Sequence, residues 1–323
     1  MIAETLLVAA AAACVTAVAV PVCIVLAPRL GVVDRPGPLK VHDTAVPYLG
    51  GVAVFAGLAV GVAAGRPVAL VPLGAALAIG VCDDRFGLPP VVRLVGQLAL
   101  GGLIAALQPV HLSGWIGVPL IVLATVLLIN GFNLLDGLDM LAGGVGAACA
   151  AGFAVIVHGS GRLLASSLAG ALVAFLWYNR PPSRIYLGDG GSYLLGASMT
   201  VLLTHAWGVG VSSASGLLAL LLLVVPATEV ACAIVRRRRS GRPLMSGDRS
   251  HPYDLLVSRG WSRVEAAGAY IAIETGALVI IVLAVLCHVS VLAALLLDVV
   301  VTVTVVSAAA LAGGFNGPAE VAS

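Results

Sequence analysis

The sequence predicts an all-α, polytopic integral membrane bundle. Three observations predict it. Of 323 residues, 60% are hydrophobic and only 10% are charged, where soluble domains carry about 25% charged residues. Mean hydropathy is +1.11. Apolar runs long enough to span a bilayer recur along the chain, separated by short polar gaps.

In order, the runs are 5–26, 50–64, 67–82, 93–109, 115–131, 141–158, 163–177, 193–207, 215–235, 264–287 and 290–311. This predicts about eleven spans (10–11), several of them short. Their Gly- and Ala-rich texture suits close helix packing in lipid. Glu4 precedes the first run, which lacks a basic leader and reads as a span, not a cleaved signal. The six cysteines lie in or beside apolar runs without paired spacing and read as small packing residues. The expected organisation is one transmembrane catalytic domain over 1–311 and a short tail, 312–323.

The gaps sort by charge. Loops 27–49, 83–92, 130–143, 178–192 and 236–263 fall on one side of an alternating topology. With Arg93 at a helix end, that side holds fifteen of the 17 Lys and Arg residues; Arg66 and Arg162 fall on the other. The positive-inside rule puts the rich side in the cytoplasm and the N-terminus outside. The loop acids follow it: Asp34, Asp43, Asp83, Asp84, Asp136, Asp139, Asp189, Asp248 and Asp254 are all cytoplasmic in this reading, and the external gaps carry none. A polar, ionisable site is expected on the cytoplasmic face.

The densest chemistry lies at 129–144, I-N-G-F-N-L-L-D-G-L-D-M-L-A-G-G. Asn130, Asn133, Asp136 and Asp139 recur every third residue, and on a helical turn such groups share one face. At a membrane boundary they are costly and mark a functional site; an N-cap cluster would account for one or two of them. The first cytoplasmic loop offers Lys40 and His42. Asp83 and Asp84 are adjacent acids whose repulsion raises one pKa or calls for a cation; a solvated acidic turn would also account for the pair. The 186–193 stretch, Y-L-G-D-G-G-S-Y, reads as a glycine loop at a helix start. Amides around Gly188 would suit a phosphate, and Asp189 a bridging metal; a Ser192 N-cap is the plainer alternative. In the last loop the Arg236–Arg239 run reads as a topology anchor, whereas Arg249 and His251 are candidate substrate contacts. Oxygen ligands for a hard divalent cation, a phosphate loop and basic residues together imply Mg²⁺-assisted transfer of a phosphorylated group from a soluble nucleotide donor to a lipid acceptor.

These stretches resemble the polyprenyl-phosphate N-acetylhexosamine-1-phosphate transferases. The matches are K-V-H-x-x-x-V-P-x-x-G-G at 40–51, D-D-R at 83–85, N-x-x-N-x-x-D-G-x-D at 130–139, L-G-D-x-G-S at 187–192 and D-R-x-H at 248–251. The resemblance implies attack of an undecaprenyl or decaprenyl phosphate on a UDP-sugar, with release of UMP, as a first step of cell-envelope polysaccharide or glycolipid synthesis. It implies catalytic roles for Asp83, Asp84 and Asp136, and Mg²⁺ (or Mn²⁺) on Asp189 with Asn133. Lys40, His42, Arg93, Asn130, Asp139, Gly188, Arg249 and His251 would contact substrate. The expected partners are the UDP-sugar, the lipid phosphate and the bilayer of the cytoplasmic (inner) membrane, with no nucleic acid; a homodimer is compatible with it.

Two departures stand out. Many members have H-x-H-H where this chain has His251, Pro252, Tyr253, Asp254, and Met140 replaces a usual glycine. The first bears on the donor: an N-acetylglucosamine type is expected, with N-acetylfucosamine or N-acetylquinovosamine as alternatives. An ion-coupled transporter is the reading from another class, but transporters place such acids near the midplane of repeated halves, and here they lie in loops on one side.

Overall fold

The computed structural model describes residues 2–34, 45–108, 114–208, 214–241, 243 and 251–287. Lys40, His42, Arg249 and the predicted run 290–311 lie outside them. The described chain is helical, with one two-stranded ribbon of β1 (Val33–Asp34) against β2 (Val46–Pro47), antiparallel, Val33 opposite Pro47.

Each of the other ten apolar runs falls on helix. They become α1 (Ile2–Leu30), α2 (Gly50–Gly65), α3 (Leu70–Phe86), α4 (Pro90–Leu107), α5 (Gly114–Leu135), α6 (Leu141–Ile156), α7 (Gly159–Asn179), α8 (Gly188–Trp207), the pair α9 (Ala214–Leu221) and α10 (Val224–Arg239), and α12 (Arg263–Leu286). A short α11 (Pro252–Ser258) precedes the last. Six helices among the described residues are long and apolar enough to cross a membrane, or seven if α9 and α10, bent by 55°, form one span. The protein is a polytopic helical membrane protein.

α8 is the axis of the bundle. Eighteen of its 20 residues are buried, against α2, α3 and α5. A helix that meets protein on all sides has no need of a lipid-facing surface, so α8 carries Ser192, Ser198, Thr200 and Thr204. The hydroxyls of Thr200 and Thr204 donate to carbonyls of their own helix, at 2.9 and 2.7 Å, which satisfies them locally.

The helix ends differ from the predicted gaps in instructive ways. Asp83 and Asp84 are not in a loop; they close α3, which continues until Gly87 turns left-handed at φ 63° and returns its N–H to the Asp83 carbonyl. Ser192 is not an N-cap, and 188–192 is not a loop: it is the first turn of α8, with Leu187 at the cap position. The predicted face of four amides and acids is split. Asn130 and Asn133 lie within α5, which ends at Leu135, and Asp136 and Asp139 lie in the turn that follows.

Candidate active site

The C-terminal ends of α3 and α5 meet the N-terminus of α8 at one end of the bundle. Main chain meets main chain there. A Cβ at Gly80 of α3 would fall on the Asp189 carbonyl, and one at Gly51 of α2 on the backbone of Gly191. The segment leading into α8 is pinned as well: Gly50 and Gly51 donate to the carbonyls of Tyr186 and Leu187, both at 3.0 Å, and Tyr186 donates to Pro47 at 2.8 Å. Gly188 takes φ +73°, a left-handed conformation that L-residues rarely adopt.

A helix start leaves four N–H groups without intrahelical partners. In α8 one carboxyl takes two of them. Asp84 accepts from Asp189 N at 2.9 Å and from Gly190 N at 3.0 Å. The sequence reading gave these amides to a substrate phosphate; the folded chain uses them to bind its own Asp84. Anion affinity at this helix start is real, and the protein itself supplies the anion.

Asp83 is fully covered (0%) and held three ways. Leu88 N donates to Oδ1 at 2.9 Å, Tyr193 Oη donates to Oδ2 at 3.1 Å, and Arg93 Nε lies 2.9 Å from Oδ2. Arg93 Nε also donates to the Leu88 carbonyl at 2.8 Å, and its side chain remains 37% exposed. The Asp83 and Asp189 carboxyls lie within hydrogen-bonding reach of each other. Asn133 Nδ2 donates to Asp189 Oδ1 and approaches Ser192 Oγ at 3.4 Å. Asp139 lies beside Asp136 and Tyr186. Burial, then the charges of Asp189 and Asp84, push the Asp136 carboxyl well above the usual carboxylate range.

Four acids and one arginine therefore crowd one junction. Two carboxyls in contact need a proton or a cation between them, and the donors are all hard oxygens. Among the described residues no three His, Cys, Asp or Glu side chains come together as a metal cage. Mg²⁺ is usually held by one or two carboxylates, with water and substrate phosphates completing its shell. The residues present fit a cation of that kind.

Other predicted site residues sit apart. Asn130 turns to α4, donating to Gln97 Oε1 and to the Val126 carbonyl, both at 2.8 Å. His251 is not free for substrate on both sides: it begins α11, its ring stacks on Tyr253 with centroids 5.0 Å apart, and its Nδ1 lies 3.6 Å from Glu229. Sequence reasoning missed Tyr193, Asn179 and Gln97. Tyr193 carried a usable signal, since it lies four residues beyond Asp189 on the same helical face. Asn179 carried none: its Oδ1 accepts from Met140 N at 2.8 Å and its Nδ2 donates to the Ile185 carbonyl at 2.9 Å, tying two loops together.

The pattern described as Glycosyl transferase family 4 matches residues 67–206, which takes in Asp83, Asp84, Asn133, Asp136 and Asp189. The chain is 32% identical over 260 residues to the "Probable undecaprenyl-phosphate N-acetylglucosaminyl 1-phosphate transferase" of Bacillus subtilis strain 168, covering 73% of each chain. It is 32% identical over 315 residues to the decaprenyl-phosphate N-acetylglucosaminephosphotransferase of Mycolicibacterium smegmatis, covering 81% of this chain and 78% of the relative. The undecaprenyl-phosphate alpha-N-acetylglucosaminyl 1-phosphate transferase of Escherichia coli K12 is 26% identical over 268 residues, covering 75% and 73%. With Asp83 and Asp84 of α3, Asp136 of the turn after α5 and Asp189 of α8 gathered at one junction inside the matched stretch, the chain belongs to glycosyl transferase family 4, among the polyprenyl-phosphate N-acetylglucosaminyl-1-phosphate transferases.

Proposed function

We propose that the protein transfers N-acetylglucosamine 1-phosphate from a UDP-linked donor to an undecaprenyl or decaprenyl phosphate, releasing UMP. The relatives' names support the sugar and the lipid. The observation that carries the reaction is the Asp83–Asp189 carboxyl pair, flanked by Arg93 and Asn133 where three helix ends meet. The loop charges support a site on the cytoplasmic side of the inner membrane, with about eleven spans and the N-terminus outside.

The roles follow from what each side chain already does. A phosphate monoester has its second pKa near about 6, so at neutral pH the lipid phosphate is largely a dianion and needs no strong base. What the site must offset is the repulsion between that dianion and the donor pyrophosphate. When bound, Mg²⁺ or Mn²⁺ on Asp189, with Asn133 beside it, supplies charge neutralisation at the pyrophosphate. Arg93, held in place by Asp83, faces the phosphates with its exposed end. Asp84 holds the Asp189 backbone at the start of α8 and so aims the Asp189 side chain. Asp136 and Asp139 border the nucleotide side of the pocket.

The test is UMP release by the purified protein in detergent with polyprenyl phosphate, Mg²⁺ and a panel of UDP-N-acetylhexosamines, with an EDTA control. Release that needs lipid and metal, with UDP-N-acetylglucosamine preferred, is the expected result. Preference for an N-acetylfucosamine or N-acetylquinovosamine donor would overturn the sugar assignment. No release with any donor, from folded protein, would overturn the reaction.

A further inference from the structure

Beyond the acid junction, the described residues contain a second polar knot that the reaction above does not use. Glu229 of α10 is 2% exposed. Tyr270 of α12 donates its hydroxyl to Glu229 Oε1 at 2.8 Å. His251 Nδ1 lies 3.6 Å from Glu229 Oε2. The His251 ring stacks on Tyr253 almost in parallel, 6° between planes, and the Tyr270 ring meets Tyr253 edge-on with centroids 6.3 Å apart. Asp254 accepts from His251 N at 3.1 Å, which fixes the backbone at the start of α11.

The knot leads to one place. The Tyr253 hydroxyl donates to the Leu134 carbonyl at 3.0 Å. That carbonyl lies in the last turn of α5, where carbonyls lack intrahelical partners. Gly137 packs so close to the same hydroxyl that a Cβ there would overlap it. Leu134 and Gly137 flank Asp136. Tyr253, which reaches this turn from α11, is therefore held between His251 and Tyr270, both of which meet Glu229 of α10, and it closes on the turn that carries Asp136 and Asp139.

We infer that Tyr253 is a positioning residue for the transfer reaction and that Glu229, Tyr270 and His251 form the clamp that holds it. The clamp sets the distance from the Asp136 turn to the start of α8. This explains why a chain with a single histidine in this loop still builds an ordered site: the tyrosine takes up a post between the loop and the acids. The inference deepens the transferase reading, and its kinetic arm rests on that reading.

Two measurements test it on the full-length protein in detergent. The first is amide hydrogen exchange over 134–141 in wild type, Tyr253→Phe and Tyr270→Phe. Loss of the Tyr253 hydroxyl removes one buried hydrogen bond, which predicts exchange faster by about tenfold in this segment, with α7 unchanged as an internal control. Unchanged exchange over 134–141 in both variants would overturn the clamp. The second is UMP-release kinetics. Tyr253→Phe should lower kcat by about tenfold and shift KM for the UDP-sugar by less than about twofold. Glu229→Ala should do the same, and Glu229→Gln, whose amide oxygen still accepts from Tyr270, should recover most of the loss. Faster exchange with unchanged kcat would overturn the positioning role. An inactive wild type would overturn the transferase reading while exchange still decides the clamp.

Discussion

Glu229 and Asp83 are both buried, and the groups around them are held in opposite ways. Glu229 is one acid whose carboxyl accepts from the Tyr270 hydroxyl and faces the His251 imidazole. At α8 four acids share one junction, with Arg93 as their ion-paired cation. The first arrangement is nearly balanced and holds structure. The second gathers more carboxyls than Arg93 can balance, which raises their proton affinity and leaves a place for an arriving cation. The contrast separates positioning from chemistry within one fold.

The sharpest way to break the contrast is Asp189→Ala. If the junction is the reacting site, UMP release should fall by more than about 10³-fold, as for loss of a group acting only in the transition state. The protein should still run as a folded species in detergent chromatography. Full activity would make the junction merely structural, like Glu229.

Asp84→Ala should behave in between. It leaves the N–H groups of Asp189 and Gly190 without acceptors, a cost of about 1–3 kcal/mol for each buried group. Thermal unfolding should drop by several degrees and turnover should fall with it. Asp84→Asn, which keeps one carbonyl acceptor, should recover part of both.

Asp136 gives a pH test with a definite sign. Its carboxyl is raised by burial first and by Asp189 and Asp84 next, so the folded state binds this proton more tightly than the unfolded chain. Stability should therefore fall as pH rises from the ordinary Asp value of about 3.9 towards the raised one. Asp136→Asn should flatten that fall, melting higher than wild type at neutral pH and alike in acid. If the two curves stay parallel, the junction is not electrostatically strained.

The smallest effect is at Met140. It sits at φ 67°, the one non-glycine residue with positive φ among the described residues, a conformation that costs about 1 kcal/mol or more in an L-residue. Met140→Gly should raise the melting temperature slightly and leave turnover nearly unchanged.

Much of this was readable in the sequence. The apolar runs marked the helices because each spanning helix must be apolar along its length, and the motif acids marked the end of the bundle where they meet. The errors came where tertiary partners decide. Gly87 let α3 run on past Asp83 and Asp84, so a pair read at a helix end and counted with loop 83–92 lies within the last turn of the helix. The Asn130–Asp139 spacing looked like one helical face, but α5 stops at Leu135, and Asn130 pairs with Gln97, as polar groups between membrane helices tend to do. The amides near Gly188 were read as open to a phosphate because no local pattern reveals that Asp84, 105 residues away, already holds them. Glu229 and Tyr270 lie 41 residues apart in sequence, and nothing in either segment announces the other.

The glycine crossings bear on how such a protein can diversify. Because Gly51 and Gly80 bring α2 and α3 onto the main chain of α8, the approach of Asp83 and Asp84 to Asp189 is set by backbone, not by side chains that mutation can trade. Ser258, Arg259 and Gly260, exposed at the end of α11, can vary while those crossings stay as they are. The fold separates an inheritance that is hard to alter from a surface that is free to specialise, and the boundary between them is a few atoms of missing side chain.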